Sequence, residues 1–391
     1  MAASWYCARL GFEEIAYRGL ETGSRDVATH VVRQGSIVFA FSSPLHGAGG
    51  SAECAEMNAH LSAHGDGVKD VAFAVSDCRA VYASALARGG ASVAAPHEAS
   101  DASGAVVLAT VRTYGDTVHT FVQRGGYGGA FLPGYRAVAG GGDPAAGARG
   151  LGGAVGLERV DHVVGNMPDL GMLPAVEWYE RVLSFHRFWS VDDKQMSTEH
   201  SALRSIVVAD FSERVKMPIN EPAAAKRKSQ IQEYCDYYAG AGVQHIAMAT
   251  RDIVTAIARL RGRGVEFLRV PGTYYEDLRK RLAGAPFAVK EDLDTLQRLN
   301  ILLDMDEKGY LLQIFTAPLQ DRPTLFLEVI QREGCEGFGA GNFKSLFEAI
   351  EREQVRAGAP RARARASSPR SGPTHRLARP LPPARRMSEG I

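Results

Sequence analysis

Three residues far apart in the chain combine side-chain types that bind divalent metals: His162, His245 and Glu328. His162 stands in the alternating segment ERVDHVVGN and His245 in GVQHIAMAT, both patterned as strands. Glu328 is embedded in the apolar run TLFLEVIQR, where a carboxylate is costly to bury unless it is paired or coordinated. Two neutral imidazoles and one carboxylate, on three strands of one curved sheet, would cover one face of an ion and leave the other open. That arrangement suits Fe(II) oxygen chemistry, but Zn(II), Mn(II) and Co(II) accept the same donors, so ligand types alone leave the metal open. A salt bridge from Glu328 to Arg322 or Arg332 is the structural alternative.

The elements that must position these residues are legible through an internal repeat. GVKDVAFAVSD begins at Gly67 and GVQHIAMATRD at Gly242, an offset of 175 residues. Each runs from an alternating strand into a helix with apolar spacing (Val81, Ala85, Leu86; Ile253, Ile257, Leu260), closed by Gly89 and Gly264. WYCARLGF from Trp5 matches WYERVLSF from Trp178, and GDTVHTF from Gly115 matches GYLLQIF from Gly309. A duplicated module of strand, helix and several further strands predicts an α+β fold with helices against a curved sheet. The copies differ where chemistry would sit. Asp70 takes the place of His245 in the first copy, and the VDHVVGN strand has no counterpart before Trp5. The N-terminal copy is therefore expected to lack its first strand and to hold no metal.

The 391 residues and 45% hydrophobic composition allow two domains with real cores. No leader-like start and no run of about 20 apolar residues is present, so a cytoplasmic protein without a membrane span is expected. Five scattered cysteines (Cys7, Cys54, Cys78, Cys235, Cys335), with no C-x-x-C pair, indicate plain thiols rather than disulfides or a zinc site. Residues 356–391 carry nine arginines against one acid, Glu389, which leaves the rest of the chain acidic. That Pro- and Arg-rich tail has too little apolar surface to offset its ordering entropy and is expected to be disordered, with no nucleic-acid role. The expected organisation is an N-terminal domain over 1–140, a Gly/Ala-rich linker over 141–156, a metal-bearing domain over 157–355, and the tail.

Nine segments, VDHVVGN, FHRFWSVDD, LRSIVVAD, MPINEP, KSQIQEY, GAGVQHIAM, DEKGYLLQIFT, DRPTLFLEVIQR and GFGAGNFKSLFEAIE, in this order and spacing, resemble the animal 4-hydroxyphenylpyruvate dioxygenases. YRGLETGSRDVATHVVRQG and HGDGVKDVAF extend the resemblance to the first half, from Trp5 to Gln354. It implies the vicinal-oxygen-chelate fold of paired βαβββ modules, with an open barrel in the C-terminal domain around one Fe(II) held by His162, His245 and Glu328. Further implied are an aromatic 2-oxo acid and O₂ as reactants, homogentisate and CO₂ as products in tyrosine and phenylalanine degradation, and a homodimer. The family's hydrogen-bonding pocket positions fall on Ser205, Asn220, Gln230, Gln244 and Gln313; its ring-end and lid positions fall on Phe315, Phe338, Asn342 and Phe343. Gln244 precedes a ligand, so alternation aims it away from the metal and makes an outer hydrogen-bonding role the better reading. Gln313 and Phe315 share a strand face. GFGAGNF leads into a helix with apolar positions Phe343, Leu346, Phe347 and Ile350, suited to closing over the barrel. Two alternatives share this frame: side-chain hydroxylation, as in hydroxymandelate synthases, and a binding-only family member without activity.

Overall fold

A computed structural model describes residues 2–47, 49–138, 153–191, 203–223, 229–339 and 341–342. In its C-terminal half, β9 (Leu157–Asn166) leads into α4 (Met172–Leu183) and the strands β10 (His186–Val191), β11 (Leu203–Ala209) and β12 (Lys216–Pro222). Helix α5 (Gln230–Tyr238) precedes the second module: β13 (Gly242–Thr250), α6 (Ile253–Gly262), α7 (Gly272–Leu282), α8 (Leu293–Leu299), β14 (Leu302–Met305), β15 (Tyr310–Phe315) and β16 (Phe326–Glu333). The strands form one eight-stranded half-barrel in the order β10-β11-β12-β9-β13-β16-β15-β14. Strand β9 runs antiparallel to β13, and β13 runs parallel to β16. Every residue of β13 is buried, because helices cover its outer face while its other face lines the barrel. Helix α6 supplies Ile253, Ala256, Ile257 and Leu260 to that cover, all without solvent exposure. Fully burying a side chain such as Leu260 is worth about 1.5–3 kcal/mol.

The N-terminal half repeats these elements, as the 175-residue offset predicts. A short α1 (Ala2–Trp5), continued by a wider turn over Tyr6–Leu10, precedes β1 (Glu13–Arg18), β2 (Val27–Gln34) and β3 (Ile37–Pro44). There follow α2 (Ala52–His64), β4 (Phe73–Ala74), α3 (Cys78–Ala87), β5 (Ala91–Asp101), β6 (Gly104–Arg112), β7 (Val118–Gln123) and β8 (Arg136–Ala137). The repeat extends to capping. Asp77 accepts from the Ala80 amide at the start of α3, and Asp252 accepts from the Thr255 amide at the start of α6, each at 2.9 Å.

Among the described residues, however, the strands of this half form two four-stranded sheets, β3-β2-β1-β8 and β4-β7-β6-β5. The break falls between β3 and β4, where β9 sits between β12 and β13 in the other half. The counterpart of β9 is the strand whose absence the sequence comparison expects. Asp70 has a backbone task instead of a ligand's: its carboxylate accepts from both the amide and the hydroxyl of Thr120 and ties the chain to β7.

Polar contacts join the halves. Ser36 donates its amide to the Glu158 carbonyl at 2.7 Å, and a Cβ at neighbouring Gly35 (φ +57°) would stand 2.4 Å from that same oxygen, so only glycine fits. Deeper in, fully buried His119 on β7 donates through Nδ1 to the Val71 carbonyl and accepts at Nε2 from the Tyr179 hydroxyl of α4, at 2.8 and 2.7 Å. All five cysteines are buried and unbridged. No helix among the described residues is long and apolar enough to cross a membrane.

Candidate metal centre

The half-barrel brings together the three residues singled out by type. His162 lies on β9, His245 on β13 and Glu328 on β16, three adjacent strands, and each is at most 4% exposed. Ala247 pairs with His162 on one side and Glu328 on the other, while His245 lies two residues away on the same face. Glu328 Oε2 stands 3.3 Å from His162 Nε2 and 3.2 Å from His245 Nε2. Charge-assisted N–H···O bonds are usually shorter, about 2.7–2.9 Å. Donor atoms bound at about 2.1 Å and meeting near right angles stand about 3.0 Å apart, close to the spacing found. The donor set and its spacing fit a divalent cation with one face open.

Neither alternative salt bridge forms. Arg322 donates to the Ala63 carbonyl, and Arg332 grips Asp161 through three contacts of 2.8, 3.1 and 3.3 Å. Burial would raise the Glu328 carboxyl, but the facing imidazoles of His162 and His245 hold it down at about 2. It is an anion throughout the working pH range. Burial pushes His245 down and keeps it neutral, as a ligand must be; for His162 the facing Glu328 and the adjoining Asp161 overcome burial and raise it.

Both histidines are oriented by the residue before them, through a backbone device that simple alternation conceals. In the β9–β13 pairing, His162 faces Ala247 and Val160 faces Met248, which leaves Asp161 as an extra residue on β9. Gly165 faces Val243 and Val164 faces His245, which leaves Gln244 extra on β13. At each such bulge the strand no longer alternates. Consequently Asp161 Oδ1 accepts from His162 Nδ1 at 2.8 Å, and Gln244 Oε1 accepts from His245 Nδ1 at 2.9 Å. Each bond places the proton on Nδ1 and the lone pair on Nε2, toward Glu328. The expected outer hydrogen-bonding role of Gln244 thus comes from a bulge that turns it toward the ligand, rather than from a side chain aimed away.

The pocket candidates distribute as follows. Phe315 faces Glu328 across β15 and β16 and sets its ring edge-on to His245 at 5.9 Å; Phe338 sets its ring edge-on to His162 at 5.2 Å. Gln313, on the same face as Phe315, is buried with neither amide atom hydrogen-bonded among the described residues. Gly339 (φ +74°) leaves it room, since a Cβ there would stand 2.2 Å from Gln313 Oε1. Asn342 accepts from the Tyr274 hydroxyl at 2.7 Å, and its amide nitrogen has no partner among the described residues. Ser205 and Asn220 face each other across β11 and β12 and are buried, whereas Gln230 is exposed on the first turn of α5. Phe343 and the lid positions Leu346, Phe347 and Ile350 lie outside the described residues.

Sequence reasoning missed Asp161 and Phe326, whose ring stacks on His245 at 4.8 Å, and named Arg332 only as an alternative partner of Glu328, not of Asp161. A signal existed for Asp161, an acid inside an alternating apolar strand beside a candidate ligand. For Arg332 there was none, because its partner lies 171 residues away.

Comparison with known proteins supplies the family context. Residues 159–314 match the model of the Glyoxalase/Bleomycin resistance protein/Dioxygenase superfamily. The 4-hydroxyphenylpyruvate dioxygenase of Caenorhabditis elegans is 58% identical over 359 residues, covering 91% of this chain and 89% of that protein. Those of Dictyostelium discoideum and Xenopus tropicalis are 56% and 57% identical, covering 90% of this chain and 94% and 88% of theirs. Among solved structures, a mutant 4-hydroxymandelate synthase from Streptomyces coelicolor superposes with a TM-score of 0.75 at 32% identity, covering 90% of this chain and 94% of that one.

Proposed function

The chain belongs to the 4-hydroxyphenylpyruvate dioxygenase family, and from that premise we propose that it converts 4-hydroxyphenylpyruvate and O₂ to homogentisate and CO₂, with Fe(II) held by His162, His245 and Glu328. The observation that carries the iron assignment is the meeting of two imidazole Nε2 atoms and one carboxylate oxygen, all buried, at 3.2–3.3 Å. Bound there, Fe(II) would supply O₂ activation and Lewis-acid binding of a 2-oxo acid.

What the protein adds is positioning and exclusion of water. Asp161 and Gln244 fix both imidazoles in the tautomer that leaves Nε2 free. Phe315, Phe326 and Phe338 wall the centre with rings, which suits an aromatic substrate and displaces water from the reacting atoms. Gln313, whose amide atoms have no partner among the described residues, and Asn342, whose amide nitrogen has none, are offered to the substrate's polar atoms, as are Ser205 and Asn220. A buried amide left unpaired costs about 1–3 kcal/mol, and a substrate that pairs with it recovers that cost. Gln230 and Phe343 complete the pocket in this reading by resemblance alone.

O₂ uptake with 4-hydroxyphenylpyruvate, with and without added Fe(II), tests the reading, with the product identified by chromatography. Iron-dependent uptake yielding homogentisate is expected. Hydroxymandelate would instead support side-chain hydroxylation, the reaction suggested by the name of the structural relative. Absence of uptake would leave a binding-only family member.

A further inference from the structure

A second group of ligand-type side chains lies in the N-terminal half, where the repeat comparison expects no metal. His60 and His64 stand four residues apart on one face of α2, the spacing at which a helix presents two imidazoles to one ion. Asp116, from the turn before β7, completes a set whose ligand atoms all lie within 4.8 Å of one another. Burial sets the two histidines apart from a solvated surface cluster. His64 is 5% exposed, and both ring nitrogens of part-buried His60 are shielded from solvent without a hydrogen-bond partner among the described residues.

An account of this cluster without an ion is incomplete. His64 donates through Nδ1 to the Tyr238 carbonyl at 2.5 Å and meets Asp116 through Nε2 at 2.8 Å, so it serves as a peg between the two halves. That accounts for His64 and Asp116 but leaves His60 burying two polar nitrogens for nothing, which is unfavourable. Burial lowers the proton affinity of His60, aided by the neighbouring His64, and a neutral ring is the form a metal binds. The Nδ1 bond of His64 fixes its ring with Nε2 facing the cluster, where an ion would replace the proton that Nε2 donates to Asp116. Asp116 is half exposed, which gives an entry route and freedom to move. Tetrahedral coordination needs donor atoms about 3.4 Å apart at bond lengths of about 2.1 Å, so Asp116 must withdraw slightly from His64. The other charged groups here are Lys69, which donates to the Asp116 carbonyl and pairs with Glu56, and Arg112, 3.9 Å from Asp116.

We infer that His60, His64 and Asp116 form a second site, for a borderline divalent cation of the zinc type, with a fourth position left to water. Bound there, the ion ties α2 to the turn before β7. Through His64 and Tyr238, whose rings stack at 4.4 Å, it braces the N-terminal half against α5.

The test is a count of Zn(II) bound by the full chain after chelator treatment, reloading and desalting. Wild type is expected to hold two ions, His60→Gln one, His245→Ala one, and the double variant none. Retention of two ions by His60→Gln overturns the inference, and so does a wild type holding a single ion that His245→Ala removes. His60 makes no hydrogen bond that substitution would break, and far-UV circular dichroism checks that the variant is folded. Co(II) titration of His245→Ala supplies a second readout. Visible d–d bands that vanish in the double variant are expected, and bands unchanged by His60→Gln refute the site. The His245→Ala arm reads the active-centre assignment and the His60→Gln arm reads this one, so either can fail alone.

Discussion

Replacing Asp161 by asparagine isolates one link between the fold and the metal. Burial would raise the Asp161 carboxyl, but hydrogen bonds from His162 and Arg332 hold it well below the ordinary carboxylate range, so it is ionised at every working pH. It accepts from His162 Nδ1 at 2.8 Å and pairs with Arg332 at 2.8 Å. Asparagine keeps the shape, removes the charge and turns an amide donor toward either the imidazole or the guanidinium. Loss of such an outer partner weakens metal binding about 10- to 100-fold, or about 1.4–2.7 kcal/mol. The assay is oxygen uptake against free Fe(II) at buffered concentrations, with iron retention measured in parallel. The half-saturating Fe(II) concentration should rise by that factor, while kcat at saturating iron falls far less, because the three ligands remain. Arg332→Met separates positioning from stability. It strands the Asp161 anion, and breaking a buried pair of this type costs about 3 kcal/mol of folding stability. Its main effect should be on Tm. An Asp161→Asn protein whose iron affinity stays within twofold of wild type would refute the claim that the carboxylate positions His162.

Three further outcomes follow from the same geometry. His245→Ala should lose iron retention and turnover together, measured by metal content and oxygen uptake; retained activity would count against the ligand set. His119, pushed by burial from 6.5 to about 4, takes up its proton later on acidification than the unfolded chain does, so stability is present above pH 6.5 and falls as pH drops toward 4. The loss is about 3 kcal/mol, and urea unfolding of His119→Gln across that window should show a correspondingly flatter slope. Removing residues 360–391 should leave kcat unchanged, since the ligands, their supports and the pocket and lid positions all precede residue 351; a large drop would give the tail a working role.

How much of this was legible beforehand depends on the reach of each signal. Glu328 announced itself by cost, a charge in an apolar run, and the two histidines by standing in alternating strands. Their meeting followed from the duplicated module, because matched elements in one half-barrel bring β9, β13 and β16 side by side. Among the described residues the seam between β3 and β4 falls where the second copy places β9, the strand for which the sequence comparison finds no counterpart. What stayed hidden was backbone irregularity. Alternation predicts that Asp161 and Gln244 point away from the residues that follow them. A bulge reverses that locally and leaves no mark in residue type. Arg332 was hidden for another reason, since a cross-sheet partner is set by register that no local window contains.

The bulges also explain how one sheet can build such a site at all. A regular strand gives a ligand's neighbour to the opposite face, so a histidine on β9 or β13 would need its orienting acceptor from another element. Inserting one residue before each histidine lets a single strand deliver both the imidazole and the group that fixes its proton, within 2.9 Å. The cost is a ladder broken beside each histidine, in addition to a third shift where Glu158 is extra on β9, and the packing of β13 between helices and barrel absorbs it. The third ligand needs no such device. A carboxylate has no tautomer to fix, and Glu328 sits in β16 in unbroken register with both β13 and β15. Two of the three irregularities in the β9–β13 ladder therefore adjoin the ligands whose chemistry depends on orientation, and none falls at the ligand whose chemistry does not.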